Sequence, residues 1–152
     1  MDKTDRLILQ SLQENGRTPF THIAGQAGVS ETTIRSRYRA LQADGIVRTV
    51  GIVDPAALGF QAPAIINVTV EPGATDRVAR AIADLPEVSY LVMVLGSFDL
   101  VVEVFCRDLE HLTALGTEQI QTIPGVRATE TLVIGRSYKL SYRWSPEENR
   151  EG

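Results

Sequence analysis

Arg35, Arg37 and Arg39 stand in one short run that also carries Ser30, Thr32, Thr33 and Ser36. Guanidinium forks donate to phosphate oxygens and to the acceptor edge of guanine, and hydroxyls donate to phosphate. The chemistry this pattern offers is recognition of a polyanion. Provision for catalysis is thin by comparison. The histidines are His22 and His111, and the single cysteine is Cys106. Neither histidine has a partner at metal-ligand spacing. His22 lies inside a predicted helix as a half-buried or solvated side chain, and His111 lies near Glu110 on the surface of another. Cys106, at a strand end, reads as a small core residue. No catalytic residue, no metal site and no cofactor is expected.

Charge placement agrees with this. The chain of 152 residues carries a net charge of -4. Residues 1–50 hold seven Lys/Arg and five Asp/Glu, whereas residues 51–152 hold eight and fourteen. The basic excess is confined to the part that holds the arginine run, and placement matters more than the total for phosphate attraction. One cysteine allows no intrachain disulfide and no cysteine zinc site, which favours the cytoplasm. The opening MDKTDRL is too polar for a signal peptide, and no apolar run approaches the roughly 20 residues of a membrane span.

The arginines need an element to hold them. Asp2 is placed to cap a helix ending near Asn15-Gly16, with Leu7, Ile8 and Leu12 as its stripe and Leu9 at the edge. Thr18 is expected to cap a second helix with Pro19 at its first position. Phe20, Ile23, Ala24 and Ala27 face inward, and Gly28 stops it. Ser30 caps a third helix to about Ala43. Ile34, Tyr38 and Leu41 fall on one face. Thr32, Thr33, Arg35, Ser36 and Arg39 fall mostly on the other, with Arg37 at the boundary. Helix, glycine turn and hydroxyl-capped helix match a helix-turn-helix. A three-helix bundle with a solvated arginine face is the competing reading. Ile46–Val53 then reads as an extended wing or hinge strand.

From Asp54 the pattern changes. Asp54-Pro55-Ala56-Ala57-Leu58-Gly59 is a turn. Ala64–Glu71 is an alternating strand, and a helix runs from Ala74 or Thr75 to Leu85. Val88–Leu95 and Phe98–Cys106 are strands joined at Gly96-Ser97 by a short hairpin turn. Asp108 caps a helix to about Ile123, with Leu109, Leu112, Leu115 and Ile120 inward. Val126–Leu140 is a final strand. The order βαββαβ predicts a ferredoxin-like antiparallel sheet with both helices on one face. The fold class is α+β: a winged helix-turn-helix over 1–53, the sheet domain over 54–143, and a tail over 144–152 that packs at most through Trp144. The uncovered sheet face is expected to be apolar and to drive homo-oligomerisation, a two-fold dimer by default.

Taken together these residues resemble the Lrp/AsnC family of transcription regulators, also called feast/famine regulators. In the first domain the resemblance rests on Asp2, Asp5-Arg6, Ile8-Leu9, Gly16-Arg17, Gly28-Val29-Ser30, Arg37, Leu41 and Gly45-Ile46. In the second it rests on Leu58-Gly59, Gly96-Ser97-Phe98-Asp99, Pro124-Gly125-Val126, Thr129 and Thr131. It implies double-stranded DNA as a partner, read by Ser30, Thr32, Thr33, Arg35, Ser36, Arg37 and Arg39. It also implies dimers that assemble further, often to octamers, and an amino acid or related small effector bound between dimers. The positions carried over as lining that site are Met93, Gly96, Asp99, Leu109, Thr131, Leu132, Val133 and Ile134. There a glycine lets backbone groups approach a ligand, and an aspartate can meet an α-ammonium group. The competing role for Asp99 is a turn residue that hydrogen-bonds its own backbone. Two positions depart from the family pattern: Ser36 stands before Arg37 where a second arginine is common, and Leu95 stands where a hydroxyl residue is common.

Two other functions compete with this reading. An effector-independent DNA-organising protein would have the same helices. A decarboxylase of haem biosynthesis on the same fold would need basic residues and a positioned acid that this chain does not assemble.

Overall fold

Helix caps set the N-terminal elements. In the computed structural model, which describes residues 1–139, Asp2 and Asp5 form a reciprocal capping box at the start of α1, Lys3–Glu14. Helix α2, Phe20–Ala27, starts without a side-chain cap. Thr18, expected to cap it, instead turns its hydroxyl back to α1 and donates to the carbonyls of Ser11 (3.2 Å) and Asn15 (2.7 Å). Gly28 ends α2 in the left-handed region (φ 67°), and Val29 N–H closes the turn on Ala24 O. Helix α3, Glu31–Ala43, begins at Ser30, whose Oγ accepts the Thr33 N–H at 3.1 Å. The three helices bury Ile8, Ile23, Ala24, Ile34 and Leu41 against one another. Leu7, Leu12, Phe20 and Tyr38 pack around this core.

Ile46–Val53 is not a strand, contrary to expectation. Its β-branched residues have the propensity, but a strand needs a partner for its N–H and C=O groups. The described residues offer it none. Val47 packs on the helical core, while Ile46, Val50, Ile52 and Val53 stay exposed.

The second compact unit, Val53–Tyr138, holds the sheet. Its strands are β1 (Ala62–Val70), β2 (Val88–Met93), β3 (Leu100–Cys106) and β4 (Val126–Val133), in spatial order β2-β3-β1-β4 and antiparallel throughout. Helix α4, Thr75–Ala83, and α5, Leu109–Ala114, cover one face. Alternation decides which side chains they cover. Ala62, Ala64, Ile66, Val68 and Val70 of β1 and Leu100, Val102, Val104 and Cys106 of β3 are buried with Val78, Ile82, Leu112, Leu115 and Ile120. The other face is less apolar than expected. Asn67, Glu103 and Glu130 interrupt it: Asn67 Nδ2 donates to Glu130 Oε2 at 3.2 Å, and Ser89 Oγ donates to Glu103 Oε2 at 2.6 Å.

The last helix departs from a simple reading. After Ala114 the chain widens into a π-helical turn over Leu115–Ile120, where Gln121 N–H reaches Gly116 O. In a regular α-helix, residues five apart point about 140° away from each other. Leu115 and Ile120 are both fully buried, and the wide turn brings them to one side. Leu109 is 61% exposed and does not face inward. The final strand stops at Val133 rather than Leu140. The expectations for Leu140 and for the 144–152 tail lie outside the described residues.

Gly125 fixes the turn into β4 at φ 101°, and a Cβ there would lie 2.8 Å from Ala74 Cβ. Gly73 has φ 78° with open space around it. Gly125→Ala is therefore expected to cost about 2–4 kcal/mol, from conformational strain plus overlap, and Gly73→Ala about 1 kcal/mol. Urea unfolding of the two variants checks the order.

Candidate functional site

Helix α3 divides its residues between two surroundings. Thr32, Arg35, Ser36 and Arg39 are exposed along one side. Ser30 and Thr33 are tied into the cap, their hydroxyls 2.8 Å apart. Arg35 pairs with Glu31 one turn back, and its guanidinium lies 5.3 Å from the centre of the Phe20 ring. An exposed pair of this kind is worth a few tenths of a kcal/mol, so a phosphate displaces it readily. Phe20 in turn meets Tyr38 at 5.1 Å, and Tyr38 Oη lies 2.9 Å from Thr49 Oγ1.

Arg37 does not belong with the outward set. Its Nη1 donates to Asp2 Oδ2 at 2.6 Å and to Asp5 Oδ1 at 3.0 Å, both on the opening turn of α1. The reason lies in the spacing. Arg37 is three residues beyond Ile34 and four before Leu41, and both of those are buried. That is the inward stripe of the helix. An arginine there needs an acid, and Asp2 and Asp5 supply two. The Asp5 N–H, and then Arg37, hold the Asp2 carboxyl below its usual range. The carboxylates of Asp5 and Asp2 push the Arg37 guanidinium up. A depressed carboxyl contributes stability above its unfolded pKa and loses it as pH falls through the folded value. At neutral pH the link is complete.

The positions carried over for an effector are scattered over one chain. Met93, Gly96 and Asp99 lie at one end of the sheet, where Val94–Asp99 forms a six-residue loop rather than a two-residue hairpin. Gly96 does not take a positive φ, so the loop does not need its glycine for backbone reasons. Val133 pairs with Ala64 and Thr131 with Ile66, while Asp99 N–H reaches Val68 O. Four residues of strand separate Ala64 from Val68, about 13 Å. Met93 and Thr131 lie on opposite edge strands, three strand spacings or about 14 Å apart. Leu109 opens α5 directly after β3, beyond the Ala62 end of β1, and Ile134 N–H bonds Pro63 O at that end. Leu132 faces the uncovered side and Thr131 and Val133 the helical side. A single copy does not wrap these residues around one ligand.

Asp99 already has structural work. Its Oδ2 accepts the Val70 N–H at 2.8 Å, at the point where the β1–β4 register shifts between Thr69 and Val70. The β1–β3 pairing ends at Val68 and Leu100, so that N–H lies beyond the ladder and the carboxylate caps it.

The residues set aside for catalysis also find places. His22 is exposed. His111 is not a free surface residue: its Nε2 lies 3.1 Å from Glu87 Oε1, and its Nδ1 accepts the Arg107 N–H at 3.3 Å. Glu87 enters from the start of β2, a neighbour that α5 alone does not reveal. Cys106 is fully buried, and burial, then the Glu87 and Asp108 carboxylates, push its thiol up. Among the described residues no group of three metal-ligating side chains forms, and no helix is long and apolar enough to cross a membrane.

Residues 1–42 match the AsnC-type helix-turn-helix domain, and residues 63–144 match the Lrp/AsnC ligand binding domain. The chain belongs to the Lrp/AsnC family of transcriptional regulators. It is similar to the regulator FL11 of Pyrococcus horikoshii, 33% identical over 91% of this chain and 92% of that one. It is similar also to LrpA of the same organism, 33% identical over 83% of this chain and 90% of that one. Among solved structures, Escherichia coli AsnC superposes with a TM-score of 0.82 at 29% identity, over 92% of this chain and 95% of that one. The fold of a Neisseria meningitidis transcriptional regulator, solved as an L-Met complex, matches with a TM-score of 0.85 at 24% identity, over 95% of this chain and 96% of that one.

The Asp99–Val70 bond makes a checkable difference between two substitutions. Asp99→Ala leaves a part-buried N–H unmet and is expected to destabilise the sheet unit by about 1–2 kcal/mol. Asp99→Asn keeps an acceptor and is expected to lose less than half of that. Thermal unfolding of both variants checks it.

Proposed function

We propose that this regulator binds specific DNA sequences through α3, and that a small effector, an amino acid or a close relative, modulates DNA binding or assembly from a site between copies. The observation that carries the DNA reading is the outward row of Thr32, Arg35, Ser36 and Arg39 on a helix capped by Ser30. The helix start offers free N–H groups and positive potential to a phosphate. Two arginines one turn apart can reach phosphates or base edges. Arg37 is withdrawn from the contact set. Ser30 and Thr33 serve through the cap and their backbone rather than as free hydroxyls.

The effector reading draws on two facts. A regulator of the same fold was solved with L-Met. The positions carried over also sit on opposite edges and both ends of one sheet, which suits a site completed by a neighbouring copy. Asp99 then has a double role: Oδ2 caps Val70, and the carboxylate charge meets an α-ammonium group. Dimers, and dimers gathered into rings such as octamers, fit the uncovered face, where Tyr90 and Leu132 are exposed beside Ile65 and Phe105.

A duplex selected from a random library by the protein is the probe for the first half. Arg35→Ala with Arg39→Ala should weaken binding on the order of 10- to 100-fold and flatten the dependence of log K on log salt by up to about two. Unchanged affinity would place the reading surface elsewhere. For the second half, an amino acid at 100 times its Kd should stabilise the protein by about 2.7 kcal/mol, visible as a raised melting temperature. Asp99→Asn should abolish that rise while the fold persists. A full rise in Asp99→Asn would remove Asp99 from the effector site.

A further inference from the structure

We infer that Arg37 is a positioning residue: clamped by Asp2 and Asp5, it sets the attitude of the DNA-reading helix and does not itself touch DNA. This rests on the DNA-binding role of α3 proposed above. Four bonds make a closed network. Asp2 Oδ1 accepts the Asp5 N–H and Asp5 Oδ2 accepts the Asp2 N–H, each at 3.0 Å. The remaining oxygens, Asp2 Oδ2 and Asp5 Oδ1, both take Arg37 Nη1. The capping box therefore aims both carboxylates before the arginine arrives. Each acid serves α1 with one oxygen and α3 with the other.

The clamp sits where α3 has least other support. Ile34 and Leu41 are its only buried side chains among the described residues, and Arg37 lies between them on the same stripe. On the far flank, Tyr38 leans on Phe20 of α2 and on Thr49. Losing Arg37 leaves the α1 side of α3 held at two points of a five-residue core. Arg35 and Arg39 are each two positions away from Arg37, on the opposite side of the helix. A small roll about the axis moves them with respect to a groove. The network is part-exposed, with side-chain exposures of 36% for Arg37, 53% for Asp2 and 17% for Asp5. Its contribution to stability is accordingly small. Its contribution to direction is not, because two pre-aimed carboxylates on one turn of α1 converge on a single nitrogen, Nη1.

The alternative is that Arg37 swings out to a phosphate when DNA arrives. The acids distinguish the two. If they compete with phosphate for Arg37, neutralising them tightens DNA binding. If they aim the helix, neutralising them weakens it, although two negative charges near DNA have been removed. The experiment uses the full chain and the duplex selected by the wild type. It compares Asp2→Asn with Asp5→Asn combined, Arg37→Ala, and wild type across a salt series. Asparagine still accepts the capping N–H groups, so the helix start survives in the Asn variant; circular dichroism at the binding temperature should show wild-type helix content. The expected result is a three- to tenfold loss of affinity in the Asn variant. Arg37→Ala should show a similar loss with an unchanged salt slope. Equal or tighter binding by the Asn variant, or a slope reduced by about one in Arg37→Ala, would overturn the clamp. A wild-type protein that binds no duplex would instead overturn the DNA reading beneath it.

Discussion

Helix α3 has to satisfy two neighbours at once, and the helical unit is built around that demand. Inward, it contributes Ile34 and Leu41 to a small core of five buried residues among those described, with Arg37 between them. Outward, it leaves arginines and hydroxyls without burial. With so few buried side chains, packing alone opposes a small roll of the helix only weakly. Polar links with defined geometry supply that resistance. The Asp2–Asp5–Arg37 network grips one flank, and Phe20, Tyr38 and Thr49 grip the other.

The sheet unit solves a different problem. Its central strands bury one complete face under α4, α5 and the wide turn after α5, so its integrity does not depend on an effector. What it leaves open is an edge strand with exposed Leu132 and Val133, a loop with exposed Leu95, and a face crossed by Asn67 and Glu130. Leu132 shares the uncovered face with Asn67 and Glu130, whereas Val133 lies on the other side of the same edge strand and Leu95 in the loop that joins β2 to β3. Were copies to meet on this face, its polar stripe would favour a particular register over unspecific adhesion, since a buried Asn67 or Glu103 left unmatched would be costly.

Much of this was legible in the residues. Asp2, Ser30, Gly28 and Gly45 are boundary residues whose chemistry is local, and each acts where its type requires. The βαββαβ order followed from alternation against helical spacing. The failures came where a distant partner decides. Ile46–Val53 has strand propensity but no strand to pair with. Thr18 donates to the carbonyls of Ser11 and Asn15 instead of accepting from the helix it was expected to cap. Leu109 and Ile120 were read on one helical face, and the π turn separates them. Arg37 could have been placed from its spacing: Ile34, Arg37 and Leu41 form an inward triad, and an inward arginine asks for the acids that stand at the chain's beginning. The Val70 partner of Asp99 had no sequence signal, because it depends on where the pairing of β1 with β3 ends.

The claim beneath the whole account is that one particular side of α3 meets the duplex. Photo-crosslinking tests it most directly. A photoreactive side chain placed at Ser36, on the outward side, should form an adduct with the selected duplex in good yield. One placed at Gln10, on the exposed side of α1, should form none. Adducts from position 10 with none from position 36 would mean that the reading face has been assigned to the wrong surface of the helical unit.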